Sequence, residues 1–165
     1  MNNADTILKS KLYTLDALKA ETDKWKANGD KVVFTNGVFD LLHIGHISYL
    51  AAAAGLGQKL IIGLNSDAST RRLKGPTRPV NDEYSRSIML ASIFFIDAVV
   101  LFEEDTPIIP ITTLLPDILV KGGDYSIDQI VGAPEVMANG GEVKAIEFVD
   151  GYSSSNIIDK IKGRK

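Results

Sequence analysis

The stretch Lys31-Val32-Val33-Phe34-Thr35-Asn36-Gly37-Val38-Phe39-Asp40-Leu41-Leu42-His43-Ile44-Gly45-His46 decides how the rest of the sequence reads. Lys31 to Thr35 is a short β-branched and aromatic run, a strand signal, and Ile44 to Ala54 follows as a helical stretch. Between them a glycine-containing turn leads from a strand end into a helix. That is the geometry of an anion site: a helix start offers unpaired N–H groups and partial positive charge, and Gly37 lets a phosphate approach the backbone. Gly45 costs the helix about 1 kcal/mol against alanine, which points to close approach at the first turn. His43 and His46, three residues apart, share a helix face, so both can donate to the oxygens of one nucleotide phosphate.

Four later runs resemble the first: Lys59 to Leu64, Ala98 to Phe102, Asp117 to Val120 and Val143 to Phe148. Helical stretches alternate with them, at Asp82 to Phe95 after an Asn81 cap and at Pro107 to Leu114, where Thr106 caps and Pro107 takes the first position. Runs such as Leu60-Ile61-Ile62 and Ala98-Val99-Val100-Leu101 are continuously apolar, which indicates burial on both faces. The expectation is an α/β fold, a five-stranded, mostly parallel sheet covered by helices, with ligands at the carboxyl ends of its strands. Residues 1–30 read as a helical lead-in, its helix running from about Thr14 to Ala27, residues 31–162 as the main domain and 163–165 as a frayed tail.

Composition narrows the function classes. The chain has 165 residues, 45% hydrophobic, enough for one domain with a core but not for two. A net charge of −3 argues against a surface devoted to nucleic acid or anionic lipid, so any basic site is local. The absence of cysteine removes disulfides, thiolate zinc sites and a cysteine nucleophile. The polar N-terminus lacks a secretory apolar region and no run is long enough to span a membrane, so the expected compartment is the cytoplasm.

The remaining motifs each carry a plain and a chemical reading. The two histidines are either a capping and a packing pair or phosphate ligands; Asp40, His43 and His46, at intervals of three, also have a zinc site's spacing, while Asp40 alone could serve as a turn or cap residue. Asn65-Ser66-Asp67 closes the second strand and could hold sugar hydroxyls. Arg71, Arg72, Lys74 and Arg78 are either a solvated charge run or a mobile flap that closes Lys74 on a phosphate, with Arg86 adding a bidentate contact. Lys121-Gly122-Gly123-Asp124-Tyr125 is an ordinary glycine turn or a backbone platform for a base or ribose. Ser153-Ser154-Ser155 is a helix cap or an anion cradle. No P-loop, dinucleotide fingerprint or nucleophile elbow is present.

Taken together, Gly37-Val38-Phe39-Asp40, His43-Ile44-Gly45-His46 and the late serine-rich helix start resemble the nucleotidyltransferase superfamily that carries the HxGH signature. Within it the chain is most similar to the adenylyltransferase domains of ADP-heptose synthases, through the ordered segments 35–40, 65–69, 72–75, 102–107 (Phe-Glu-Glu-Asp-Thr-Pro), 119–125 and 138–143. Val38 stands where the family commonly has cysteine, and Ser153-Ser154-Ser155 where it has Ser-Thr-Thr.

The resemblance implies a Rossmann-like three-layer sandwich. It implies catalytic roles for His43, His46, Lys74 and Arg86. Nucleotide binding falls to Thr35, Asn36, Gly37, Phe39, Gly45, Lys121, Gly122, Asp124, Ser153, Ser154 and Ser155, and sugar-phosphate binding to Asp40, Asn65 and Asp67. The implied reaction joins ATP and D-glycero-D-manno-heptose 1-phosphate into ADP-heptose and pyrophosphate for lipopolysaccharide core or other surface-sugar synthesis. Mg²⁺ would be held mainly by the triphosphate rather than by protein ligands. A separate upstream sugar kinase and a homodimer are expected with it. The competing readings are a cytidylyltransferase acting on glycerol 3-phosphate or a phosphoalcohol, a non-catalytic nucleotide sensor, and a zinc hydrolase.

Overall fold

The computed structural model describes residues 3–123, 126–147 and 151–163. Six strands form one sheet: β1 (Leu12–Tyr13), β2 (Val32–Gly37), β3 (Lys59–Asn65), β4 (Ala98–Phe102), β5 (Ile118–Gly122) and β6 (Glu142–Ile146), in the spatial order β1-β4-β3-β2-β5-β6. Every pairing is parallel. The expected α/β fold with a parallel sheet is therefore observed, with one strand more than the five predicted. The extra strand is β1, which pairs Leu12 with Val99 and Tyr13 with Val100 at the sheet edge. A two-residue strand has no periodicity to read, and only the exposed edge of β4 selects it.

Because strand side chains alternate, β2 sends Val32 and Phe34 to one face and Val33 to the other. The first face is covered by α2 (Leu15–Ala27), α6 (Ile108–Leu114) and α7 (Ala133–Ala138) through Leu18, Trp25, Ile111, Leu114 and Val136. The second is covered by α3 (Ile44–Ala54) and α5 (Glu83–Ala91) through Tyr49, Leu50, Ala53 and Leu90. Burial on both sides is why the central strands are apolar without alternation.

Caps fix where the helices begin. Thr14 accepts from the Ala17 amide and starts α2, and α3 has the predicted bounds. The start of α5 differs from expectation. Asn81 spends its side-chain amide on the Asp40 carbonyl, so Asp82 becomes the cap and accepts from the Ser85 amide. The same helix ends at Ala91 rather than Phe95, because the Ile93 amide turns back to Leu90 and redirects the chain into β4. Thr106 does not cap α6; Pro107 takes that place without a side-chain bond.

The basic segment is not a loop throughout. Residues 67–74 form α4 (Asp67–Lys74), capped by Ser66, with Asp67 in its first turn and Arg71, Arg72 and Lys74 in its last, where they complement the helix dipole. Gly75, with φ +96°, ends it. A short α1 (Asn3–Ser10) precedes β1, and α8 (Ser154–Ile161) closes the described chain. Part of the predicted tail (Arg164, Lys165) and Phe148 of the last predicted strand lie outside the described residues.

The turn between α3 and β3 sets the central β2–β3 pairing. Gln58 and Lys59 both donate their amides to the Lys31 carbonyl, and a Cβ at Gly57 would lie 2.5 Å from that oxygen. The obstruction is backbone and cannot rotate away. Gly57→Ala is expected to destabilise the fold by about 1–3 kcal/mol, measurable by urea denaturation.

Candidate functional site

The carboxyl ends of the central strands open into a cavity of about 570 Å³. Its floor is the turn after β2, with Asn36, Gly37, Val38 and Phe39, and the start of α3, with His43 and His46. Asn65 comes from β3, Leu73 and Lys74 from α4, and Arg78 from the loop beyond. Asp105, Thr106 and Pro107 follow β4; Lys121 and Gly122 end β5; Tyr152, Ser153, Ser154 and Ser155 open α8. Asp40, Tyr49 and Val131 complete the wall.

The two imidazoles stack, with ring centroids 3.9 Å apart and planes 23° from parallel. His43 caps α3 through Nδ1, which accepts from the His46 amide at 3.4 Å. A neutral ring with Nδ1 as acceptor carries its proton on Nε2, so that nitrogen is a donor. Phe39, held at φ 46°, sets its ring against His46 with centroids 5.3 Å apart. The Phe39 ring also explains Gly37, because a Cβ there would meet Phe39 Cε2 at 2.9 Å. Gly45 has a similar reason: the His43 ring and Tyr152 Cβ lie at 3.0 and 3.3 Å from where its Cβ would be. What closely approaches this helix turn in the structure is thus the site's own side chains.

Burial pushes the His46 imidazole down to about 4, with His43 adding to the fall and the Leu41 backbone opposing it, and burial lowers His43 as well. Both rings are therefore neutral at neutral pH rather than fixed cations. The wall's positive charge without an ion-pair partner among the described residues comes from Lys74 and Lys121, while Arg78 reaches the wall paired with Asp40. Lys121 has its pKa lowered, first by burial and then by the charge of Lys74.

Beneath the cavity lies a layer of paired charges. Arg86 is fully buried; it donates to the carbonyls of Val38 (2.7 Å), Asn65 (2.9 Å) and Asn81 (3.1 Å) and to the Asp67 carboxylate (2.8 Å). Neither Arg86 nor Asp67 lines the cavity. Asp40 does, yet both its oxygens are occupied, by Arg78 Nε at 2.6 Å and by the amides of Val80 and Asn81. With Asp40 committed in this way and His43 Nδ1 used as a cap, the zinc spacing of Asp40, His43 and His46 does not become a ligand set. Thr35 sits below the wall, its hydroxyl bonded to that of Tyr49. Ser153 caps α8, and Ser154 donates to the Leu41 carbonyl at 2.9 Å, tying α8 to the turn before α3. Asp124 lies outside the described residues.

The sequence profile described as cytidylyltransferase-like matches residues 34–160, which take in the strand, both histidines and the serine helix. The chain belongs to this family of nucleotidyltransferases. It is 57% identical over 152 residues to a bifunctional protein HldE of Citrifermentans bemidjiense and 56% identical over 151 residues to one of Pectobacterium carotovorum, covering 92% of this chain in each case. It spans about a third of the length of those curated relatives, 31% and 32%. A crystal structure of the lipopolysaccharide core biosynthesis protein from Thermoplasma volcanium superposes with a TM-score of 0.60 and 31% identity, covering 76% of this chain and all of that one.

Several walls of this nucleotidyltransferase cavity were not singled out in the sequence. Tyr49 stands three residues after His46, a spacing that puts it on the same helix face. In sequence Thr106 reads as a cap and Pro107 as a helix's first residue, while Asp105 carries only likeness. Arg78 was one of a group of cations in which Lys74 drew attention. Leu73, Val131 and Tyr152 have no local signal, since they reach the cavity only through tertiary packing.

The depressed imidazoles have a pH signature. The unfolded chain takes up the His46 proton near 6.5 and the folded chain only near 4, so stability rises with pH across that window and is lost as pH falls through it. We expect the His46 ring to titrate near 4 in imidazole NMR spectra. His46→Asn should flatten the corresponding slope of unfolding free energy against pH.

Proposed function

We propose that this chain is an adenylyltransferase that joins ATP and D-glycero-D-manno-heptose 1-phosphate into ADP-heptose and pyrophosphate. The observation that carries the reading is the pair of neutral, stacked imidazoles at a helix start, facing a cavity that Lys74 and Lys121 enter without an ion-pair partner among the described residues. The resemblance to the adenylyltransferase domains of ADP-heptose synthases supports the sugar, and the family supports the reaction class.

The phosphate oxygen of the sugar phosphate attacks the α-phosphorus of ATP; the new P–O bond forms as the bond to the β-phosphate bridging oxygen breaks, and pyrophosphate leaves with that electron pair. The nucleophile arrives as an anion, so no general base or covalent intermediate is needed. What the protein must supply is alignment and donors aimed at the oxygens where charge gathers. His43 Nε2–H and the His46 ring serve the transferring phosphoryl group. Lys74 and Lys121 offset the phosphate charge, and the amides of Ser153 to Ser155 with the Ser153 and Ser155 hydroxyls receive the terminal phosphates at the α8 start, which Ser154 holds against the Leu41 carbonyl.

Asn65 belongs beside the sugar phosphate. Arg86, buried beneath, positions the two strand ends rather than touching phosphate, and Asp67 and Asp40 act through Arg86 and Arg78. Nucleotidyltransferases that use ATP generally need a divalent metal. Among the described residues no three His, Asp or Glu side chains are grouped to hold one, so Mg²⁺ would take its ligands mainly from the triphosphate and water, where it would neutralise charge.

An upstream sugar kinase supplies the acceptor. The reaction takes place in the cytoplasm; no helix among the described residues is long and apolar enough to cross a membrane. A homodimer rests on family resemblance alone, and sedimentation velocity checks it.

The purified protein, offered ATP or CTP with each of heptose 1-phosphate, glycerol 3-phosphate and a phosphoalcohol, should release pyrophosphate only with ATP and the heptose phosphate. Release with CTP and glycerol 3-phosphate instead would replace this reading with a cytidylyltransferase. His46→Ala should lower kcat by about 10²-fold or more if the ring meets the transition state. An unchanged kcat removes it from the mechanism.

A further inference from the structure

The turn after β4, Glu103 to Pro107, belongs to the segment that carries likeness to heptose enzymes, and nothing in the mechanism above uses it. It is built with care. One face of α4 and its cap holds it at successive points: the Ser66 amide donates to Phe102 O at 2.9 Å, and Ser69 Oγ donates to Glu104 O at 2.8 Å. Arg72 donates from Nε to Asp105 Oδ1 at 2.7 Å and from its terminal nitrogen to Glu103 O. These bonds fix the place where Asp105 and Thr106 enter the cavity wall.

A carboxylate in that wall is an electrostatic oddity. The cavity is built for phosphates, and an exposed acid repels them. Asp40, the other carboxylate of the wall, is fully occupied by protein donors, whereas Asp105 has one described partner, on Oδ1, and a side chain 58% exposed. A carboxylate accepts several hydrogen bonds, so Asp105 keeps acceptor capacity for a ligand. The part of the substrate beside it must be uncharged and rich in donors. Sheet order says which part. β4 and β5 are separated by β3 and β2, a distance of about 14 Å at ordinary strand spacing. The Lys121-Gly122 end of β5 and the serines of α8 lie on one side of the histidines and the β4 turn on the other, so a nucleoside held on the β5 side leaves the acceptor's carbon skeleton facing Asp105.

We propose that Asp105 and Thr106 are the specificity-determining residues for the acceptor: Asp105 accepts hydrogen bonds from hydroxyls of a polyol phosphate, and the Thr106 hydroxyl adds a further contact. The proposal rests on the adenylyltransferase reading above and adds which residues distinguish a sugar phosphate from a smaller phosphorylated alcohol. Arg72 is a positioning residue that holds the carboxylate in its rotamer and limits its repulsion of the incoming phosphate.

The test is steady-state kinetics of the full chain with ATP, using heptose 1-phosphate and analogues of it that each lack one ring hydroxyl. Asp105→Asn should raise KM for the heptose phosphate by about 10- to 100-fold while leaving KM for ATP unchanged. It should also abolish the wild type's preference over one particular deoxy analogue, which a merely structural substitution would not do. Thr106→Val, which keeps the side-chain shape, should raise the acceptor KM by a smaller factor in the same direction. Unchanged acceptor KM in both variants, or a rise confined to ATP, overturns the proposal and leaves the adenylyltransferase reading standing. A wild type that turns over no polyol phosphate overturns both.

Discussion

A guanidinium with no access to water must have every donor direction matched or it unfolds what surrounds it. Arg86 spends four of its five N–H donors on backbone carbonyls from the turn after β2, the end of β3 and the start of the α5 region, and on one carboxylate. Each of those carbonyls ends a segment that would otherwise be free to move. The two strand ends that form the cavity floor are therefore fixed to one another by a single side chain, and removing it would leave three carbonyl acceptors and the partly exposed Asp67 carboxylate without that partner.

The same logic repeats one layer higher. Asp40 gathers Arg78 and the amides of Val80 and Asn81, so the chain following α4 is pinned to the turn that leads into the histidines. Paired charges thus form the foundation, and above them Lys74 and Lys121 face the cavity with no ion-pair partner among the described residues. This segregation suits a reaction in which both substrates bring negative charge. Cations already satisfied by protein cannot compensate a phosphate, and cations stacked without anions are costly until a phosphate arrives.

Much of this was legible along the chain. The β-branched run before Asn36-Gly37 and the paired histidines after it announced a strand, a turn and a helix start, and α3 has the bounds its sequence suggests. The apolar runs of β3 and β4 announced a buried parallel sheet because such strands need not alternate. Other features misled for physical reasons. Ser66-Asp67 looked like a ligand cluster but nucleates α4, since a serine at a strand end and a cap have the same composition. Arg86 looked like a phosphate ligand because a sequence shows charge and hides burial. The edge strand Leu12–Tyr13 was invisible, since its only reason to exist is the open edge of β4.

The sequence by itself determined the alternation of strands and helices, the strand, turn and helix start that carry both histidines, and the family. All three depend on residue spacing of a few positions, which local geometry converts directly into a shared face or a cap. Only the tertiary structure decided which charges face the cavity and which serve the fold. Lys74 and Arg86 are equivalent as letters, but one ends a helix at the cavity and the other lies beneath it among carbonyls from distant segments. Desolvation and partner count assign those roles, and both are properties of packing rather than of order along the chain.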